Sequence, residues 1–298
     1  MNEKILEDYK KIRASDSGFY KQKRGLIEVS GKEAIQFLNG LITNDVAKLE
    51  ENAQMLAAFP NAQGRLIAVV RVLRKSDKFL FETEAATHEK VFQNLFRFTF
   101  AGDFFVADLT EKYEYLSITN YELRITNSIE FQSRFGTDVF VPKDEEEVFL
   151  NELRNKNAIE ISDELYEVLR VEQGIPLYGV DMDETTIVPE IGLPEIISYN
   201  KGCYIGQEII ARIHFRGHIA KQLTGLILSE QPASAGWQNA ELKSTDGKNA
   251  GKITSAIFSP KLEKTIALGY VRYEFLGEGT QLKINDFTAT VKNLPFVE

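Results

Sequence analysis

GLIEVS (Gly25–Ser30), GKEAIQFLNGL (Gly31–Leu41), QMLAAF (Gln54–Phe59) and RLIAVVRVL (Arg65–Leu73) follow one another in the first quarter of the chain. The first run is strand-like. The second places Ala34, Phe37, Leu38 and Leu41 on one helical face. Ser30-Gly31-Lys32-Glu33 has the S-x-x-E spacing of a capping box, and Asn44-Asp45 closes the helix. The last two runs read as a hairpin, with Pro60-Asn61-Ala62-Gln63-Gly64 supplying the turn. The order is therefore β-α-β-β, with an antiparallel connection where a doubly wound sheet would need a crossover.

Outward from this stretch the pattern continues. Lys78–Glu82 predicts a strand and Thr87–Phe98 a helix with Val91, Phe92, Leu95 and Phe96 apolar. Phe104–Ala107, Tyr115–Thr119 and Glu122–Thr126 predict short strands, and Ile5, Leu6, Tyr9 and Ile12 mark an opening helix. Such a chain belongs to the α+β class, in layers of ferredoxin-like type. A second copy of the unit is expected from Tyr115 to Gly174. Its helices would be Glu145–Asn155 and Asp163–Gln173, the latter N-capped by Ser162 and stopped by Gly174. From Lys221 onward the character changes. QLTGLILS, GKITSAIFS, TIALGYVRY, QLKIN and FTATVKNL are short β-rich runs, the last two split by Asn285-Asp286. They predict a small closed β-barrel over residues 221–298.

Composition narrows the function. The 298 residues carry 35 Lys plus Arg and 44 Asp plus Glu, a net charge of −9. A broad surface for nucleic acid or anionic lipid would be repelled, so no direct nucleic-acid partner is expected. One cysteine excludes an intramolecular disulfide and any all-cysteine metal site within one chain. No apolar run approaches the ~18 residues of a membrane span. The N-terminal MNEKILEDYKKIR lacks the apolar core of a signal peptide, so the expected location is the cytoplasm.

The densest chemistry lies in NKGCYIGQEIIARIHFRG (Asn200–Gly217). Cys203 lies between Gly202 and Gly206, which permit tight turns and close backbone approach. A short helix from Gln207 would put the thiol just before a helix N-terminus and beside Lys201, both of which favour thiolate. The opposing reading is a small buried hydrophobe, the commonest state of a lone cysteine. His214 and His218 lie four apart, a spacing that metal ligands use, but with Cys203 they make only three candidate ligands. Glu172, near the end of its helix in RVEQGIPLYGVD, could be a solvated charge or could accept hydrogen bonds from a flat heterocycle. Tyr166 and Tyr178 would suit a stacked ring or ordinary packing.

K-G-C-Y-x-G-Q-E (Lys201–Glu208), continued by A-R-x-x-F-R-G (Ala211–Gly217), resembles the signature of the YgfZ-type folate-binding proteins, which include iron–sulfur assembly factors. Gly31-Lys32-Glu33-Ala34, Phe37-Leu38, Thr43-Asn44-Asp45, Arg170–Gly174 and Gly251–Pro260 resemble the wider superfamily of the glycine-cleavage T-protein. The resemblance implies two partly interleaved ferredoxin-like domains within residues 1–220, divided near 110, and the C-terminal barrel, in a clover leaf around a central folate channel. It implies tetrahydrofolate or a derivative as ligand, with Glu172, Tyr166, Tyr178, Arg65, Gln207, Glu208 and Arg212 as candidate contacts, the two arginines for the glutamate tail.

It further implies a role in assembling or repairing iron–sulfur clusters, notably in radical enzymes that methylthiolate tRNA. Cys203, with Lys201, would be the working thiolate, sharing a transient [2Fe–2S] cluster with a scaffold or client protein, since one thiolate cannot hold a cluster alone. The aminomethyltransferase branch resembles G-G-x-I-D-D where this chain has Gly64-Arg65-Leu66-Ile67-Ala68-Val69. Both aspartate positions are apolar, so the expectation is not a classical enzyme. Tetrahydrofolate-dependent aminomethyl or related one-carbon transfer stands as the alternative.

Overall fold

The structure is a computed structural model that describes residues 2–120, 127–229 and 237–297. The strand expected over Glu122–Thr126 lies outside the described residues. The chain divides into two compact units, Met1–Ser162 with Glu195–Gln207, and Asp163–Pro194 with Glu208–Glu298.

In the first unit, α1 (Glu3–Arg13) is capped by the Asn2 side chain, which accepts from Ile5 N at 2.9 Å. Ile5, Tyr9 and Ile12 form its buried stripe. β1 (Gly18–Lys21), β2 (Arg24–Ser30), α2 (Ala34–Leu41), β3 (Gln54–Pro60), β4 (Leu66–Lys75), β5 (Lys78–Glu84), α3 (His88–Phe96) and β6 (Phe105–Asp108) follow. An antiparallel sheet runs β3-β4-β5-β2-β6. Leu38 of α2 and Val91 and Leu95 of α3 pack on its Ile27, Phe59 and Phe81. The β-α-β-β reading holds here.

The capping box does not form. α2 begins at Ala34, so Glu33 occupies the N-cap and makes no side-chain cap bond. Its Oε2 instead accepts from Asp103 N at 2.6 Å, while Glu33 N donates to Asp103 O at 3.1 Å. A loop some seventy residues away has taken the glutamate.

β7 (Tyr113–Thr119), β8 (Ile129–Ser133), β9 (Gly136–Pro142), α4 (Glu146–Asn155) and β10 (Ile159–Glu160) build a second sheet, ordered β10-β1-β7-β9-β8. The N-terminal strand β1 joins this sheet, parallel to β10 and antiparallel to β7. Phe149, Leu150 and Leu153 of α4 pack on Phe19, Leu116 and Val139.

The two sheets of this unit meet through Leu26, Leu73 and Leu80 on one and Tyr115, Phe131 and Phe140 on the other. At their border Arg71 of β4 makes four polar contacts, one of them from Nη1 to Gln132 O at 3.4 Å. Nε meets Glu82 Oε2 at 2.9 Å, Nη1 meets Asp138 Oδ2 at 2.6 Å, and Nη2 donates to Tyr115 Oη at 3.0 Å. Arg24 Nη1 lies 3.2 Å from Glu82 Oε1. Burial alone would raise the Glu82 carboxyl, but the charges of Arg71 and Arg24 win and hold it below its usual range.

The second unit contains α5 (Asp163–Glu172), most of α6 (Gln207–Arg216), and β11 (Lys221–Leu228), β12 (Glu241–Lys243), β13 (Asn249–Ser259), β14 (Lys264–Arg272), β15 (Gln281–Ile284) and β16 (Phe287–Lys292). The strands close into the expected barrel, β11-β14-β13-β12-β15-β16. Leu226, Ile253, Val271, Leu282 and Val291 fill its interior. Asn285, at φ +52°, starts the two-residue turn of the last hairpin.

α5, expected within a second copy of the unit from Tyr115 to Gly174, falls in the compact unit that holds the barrel strands. Its Val171 packs with Leu223, Leu268 and Phe296 on the outside of the barrel. Arg170, fully buried, donates from Nη1 to Asp181 Oδ2 at 2.9 Å and from Nη2 to Ser255 Oγ at 2.8 Å. Asp181 Oδ1 accepts from Thr254 at 2.6 Å and from Ser255 at 2.7 Å. Apolar spacing marked the helix but did not specify which sheet it would cover.

Replacing Arg71 by Met should destabilise the first unit by about 3–5 kcal/mol, because Glu82 and Asp138 stay buried without their shared guanidinium. Urea unfolding checks this. The sign of the pH effect follows from the depressed Glu82 pKa: its contribution is present above the usual 4.5 and is lost as pH falls through the lower folded value. Acid titration of stability should therefore show a drop below pH 4.5 that R71M shows less strongly.

Candidate functional site

α2 ends at Leu41, and its last carbonyls lack partners within the helix. Ile42 N meets Leu38 O, while Gly40 O and the carbonyls of the three residues after the helix find partners in residues 195–207, which fold into the same unit from more than 150 positions along the chain. Ile205 N donates to Gly40 O at 3.1 Å and Ser198 N to Thr43 O at 3.0 Å. Lys201 Nζ donates to Ile42 O at 2.8 Å and to Asn44 O at 2.6 Å. In return the Thr43 hydroxyl donates to Ile196 O, and Asn44 Nδ2 donates to Glu195 O at 2.9 Å. The segment is a strap laid over the end of α2.

The strap also abuts the β3–β4 turn. There Asn61 Oδ1 accepts from Gln63 N at 2.9 Å and Arg65 N at 3.0 Å, an Asx-type closure. Gly206 stands at φ +79°, where an added Cβ would fall 2.3 Å from Asn61 O and 3.2 Å from Gly64 Cα. Only glycine fits. Gly202 differs, since an added Cβ would meet nothing within 4 Å. The two glycines flanking the cysteine therefore serve different ends, and only Gly206 answers a close approach.

Between these anchors Cys203 is exposed, so the buried-hydrophobe reading does not hold. Four residues on, α6 begins at Gln207, whose Nε2 donates to Gly202 O at 3.4 Å. Lys201, expected to act on the thiol, spends two hydrogen bonds on the carbonyls after α2 instead. Burial lowers its ammonium to about 8, with the Asp45 charge opposing the shift. Tyr204, buried beside it with its ring 5.1 Å from Nζ, has its hydroxyl pushed up to about 12 by desolvation.

The remaining candidates are placed as follows. Glu172 is wholly buried, its Oε1 accepting from Ser259 Oγ and its carbonyl from Phe296 N at 2.9 Å. Tyr166 is buried on α5, and Tyr178 is half-buried with its hydroxyl donating to Glu184 Oε2 at 3.2 Å. Arg65, Glu208 and Arg212 are exposed and Gln207 is half-buried. Ala68 and Val69 lie on β4, paired with Phe59 and Ala58, the alanine fully buried.

His214 and His218 are exposed, and the His218 ring stacks on Tyr273 at 4.4 Å. Among the described residues no group of three or more His, Cys, Asp or Glu is disposed to hold a metal. Sequence reasoning missed the supporting roles of Asn61, Asn44 and Ser198. A polar Thr-Asn pair directly after an apolar helix was the available signal for Asn44.

Gly206→Ala should cost at least about 1–3 kcal/mol through its left-handed φ and the contact with Asn61 O. Gly202→Ala should stay within about 0.5 kcal/mol. Thermal melts of the two variants side by side check the difference.

Residues 1–119 match the GCVT N-terminal domain, and residues 221–298 match the glycine cleavage T-protein C-terminal barrel domain. An aminomethyltransferase of Thermoanaerobacter pseudethanolicus is 24% identical over 317 residues, covering 95% of this chain and 85% of that protein. The mitochondrial aminomethyltransferase of Flaveria trinervia is 25% identical over 348 residues, covering 98% and 82%. The solved aminomethyltransferase T of Bartonella henselae superposes with a TM-score of 0.87 at 21% identity, over 99% of this chain and 90% of that one, a likeness of fold. The chain thus resembles the glycine-cleavage T-protein in both its N-terminal domain and its C-terminal barrel domain, and it shares that fold along nearly its whole length.

Proposed function

We propose that this chain is a YgfZ-type member of the superfamily, a tetrahydrofolate-binding protein that supports the assembly or repair of iron–sulfur clusters. The observation that carries the reading is the exposed Cys203 thiol within the strap. A thiol kept in solvent on an anchored segment suits transient contact with a partner scaffold or client. In that role Cys203 supplies one ligand to a [2Fe–2S] cargo and the partner supplies the rest.

The proposed ligand is a folate, held by the residues that the resemblance implies. Glu172 offers a buried carboxylate, an acceptor matched to a pterin N–H edge, with Ser259 already donating to Oε1. Tyr166 and Tyr178 supply aromatic faces near it in sequence. Arg65 in the first unit and Arg212 in the second are exposed guanidiniums, each proposed separately for glutamate carboxylates, and Gln207 and Glu208 are proposed as further polar contacts. Bound folate would supply a one-carbon carrier. The part assigned to these side chains is to bind and orient it.

A second reading is tetrahydrofolate-dependent aminomethyl or related one-carbon transfer. The relatives favour it, and they speak more directly for it than for cluster support, since those described above are named aminomethyltransferases. Against it stand Ala68 and Val69, which put no carboxylate where transfer chemistry needs acid–base help.

The test uses purified full-length chain under reducing, anaerobic conditions and a deletion strain of the source organism. Glu172→Ala should weaken tetrahydrofolate binding about tenfold or more, the loss of hydrogen bonds to a charged group. Cys203→Ala should bind folate normally yet fail to restore methylthiolated tRNA nucleoside in the deletion strain. Methylenetetrahydrofolate formed from an aminomethyl–lipoyl carrier would establish the second reading instead. Absence of folate binding would sink both.

A further inference from the structure

We infer that Lys201 is a positioning residue: as a long-range cap on the end of α2, it holds the strap closed and thereby presents Cys203 at a fixed place. This rests on the reading of Cys203 as the working thiol.

Three observations carry the inference. First, α2 has no basic residue in its last turn, so no cation of its own faces the partial negative charge at its C-terminal end. Lys201 brings that cation from 159 residues away to Ile42 O, and reaches Asn44 O as well. Second, the carbonyls of Gly40, Ile42, Thr43 and Asn44 all accept from residues 198–205, and Lys201 supplies two of those four bonds through one side chain. The Ser198 and Ile205 amides supply the others, one on each side of Cys203 in sequence. Third, the ammonium is partly buried, 5.1 Å from the centre of the Tyr204 ring. A half-buried cation held by neutral carbonyls is committed to its place, because leaving it uncompensated would cost desolvation without return.

Lys201 on this account acts through the backbone. It fixes where the thiol stands, and its own donors are directed at Ile42 and Asn44.

The single cysteine makes the test direct. A nitroxide attached to Cys203 of the full-length chain reports the local mobility of the strap. Hydrogen exchange at the Ser198 and Ile205 amides reports closure of the strap through bonds that Lys201 does not itself make. Lys201→Met should raise exchange at both amides at least about tenfold and narrow the nitroxide lines, with protection in the β4–β5 core retained. Lys201→Arg, which keeps a positive charge with several N–H donors, should restore most of both signals. If Lys201→Met does not fold, Lys201→Gln, neutral but still a donor, takes its place in the same comparison.

Amide exchange and label mobility equal to wild type in the neutral variant would overturn the inference. So would an arginine variant no better than methionine. Neither readout needs folate or a cluster. A loosened strap in Lys201→Met, together with full complementation by Cys203→Ala, would uphold the anchor and reject the proposed use of the thiol.

Discussion

A helix that ends inside a folded unit must find partners for its last carbonyls, and the first unit is organised around meeting that requirement for α2. Locally, only Ile42 N contributes, to Leu38 O. The strap of residues 195–207 adds two amides and one lysine side chain, on the carbonyls of Gly40 in the helix and of Ile42, Thr43 and Asn44 just after it. Thr43 and Asn44 answer in the opposite direction, so the junction is reciprocal. The exposed cysteine and the glycine that touches the β3–β4 turn are consequences of where this strap runs. Without it, Gly206 would have no reason to avoid a side chain, and Cys203 would be one more residue on a loose loop.

Both units also bury charge where apolar packing would have sufficed. Arg71 joins the two sheets of the first unit through Glu82, Asp138 and Tyr115. Arg170 joins α5 to the barrel through Asp181 and Ser255. Such arrangements add little net stability over hydrophobic substitutes, but each admits only one geometry once its partners are in place. They fix which surfaces meet, a matter on which a stripe of leucines and valines is silent.

For the candidate site, chemistry was more legible than placement. The rare residue types of Lys201–Glu208 and the helix beginning at Gln207 stood out, because glycine, cysteine and lysine in close order have few local explanations. The role of the lysine did not. Its neighbour in sequence is the thiol, and its partners in space are the carbonyls of Ile42 and Asn44. Glu172 likewise looked like a helix-end carboxylate and lies fully buried beside Ser259 of the barrel. In each case the partner lies far along the chain, beyond the reach of any spacing rule.

The sequence by itself determined the α+β class, most of the strands and helices, and the C-terminal barrel. These rest on periods of 2 and 3.6 residues and on turn residues, all local. Tertiary structure alone decided that β1 joins the later sheet, that α5 covers the barrel, that Glu33 serves residue 103 in place of its own helix, and that Cys203 faces solvent. Each of these depends on a hydrogen bond or apolar contact between distant segments. Such contacts are selected only when competing surfaces are folded together and the buried polar groups must all be satisfied at once.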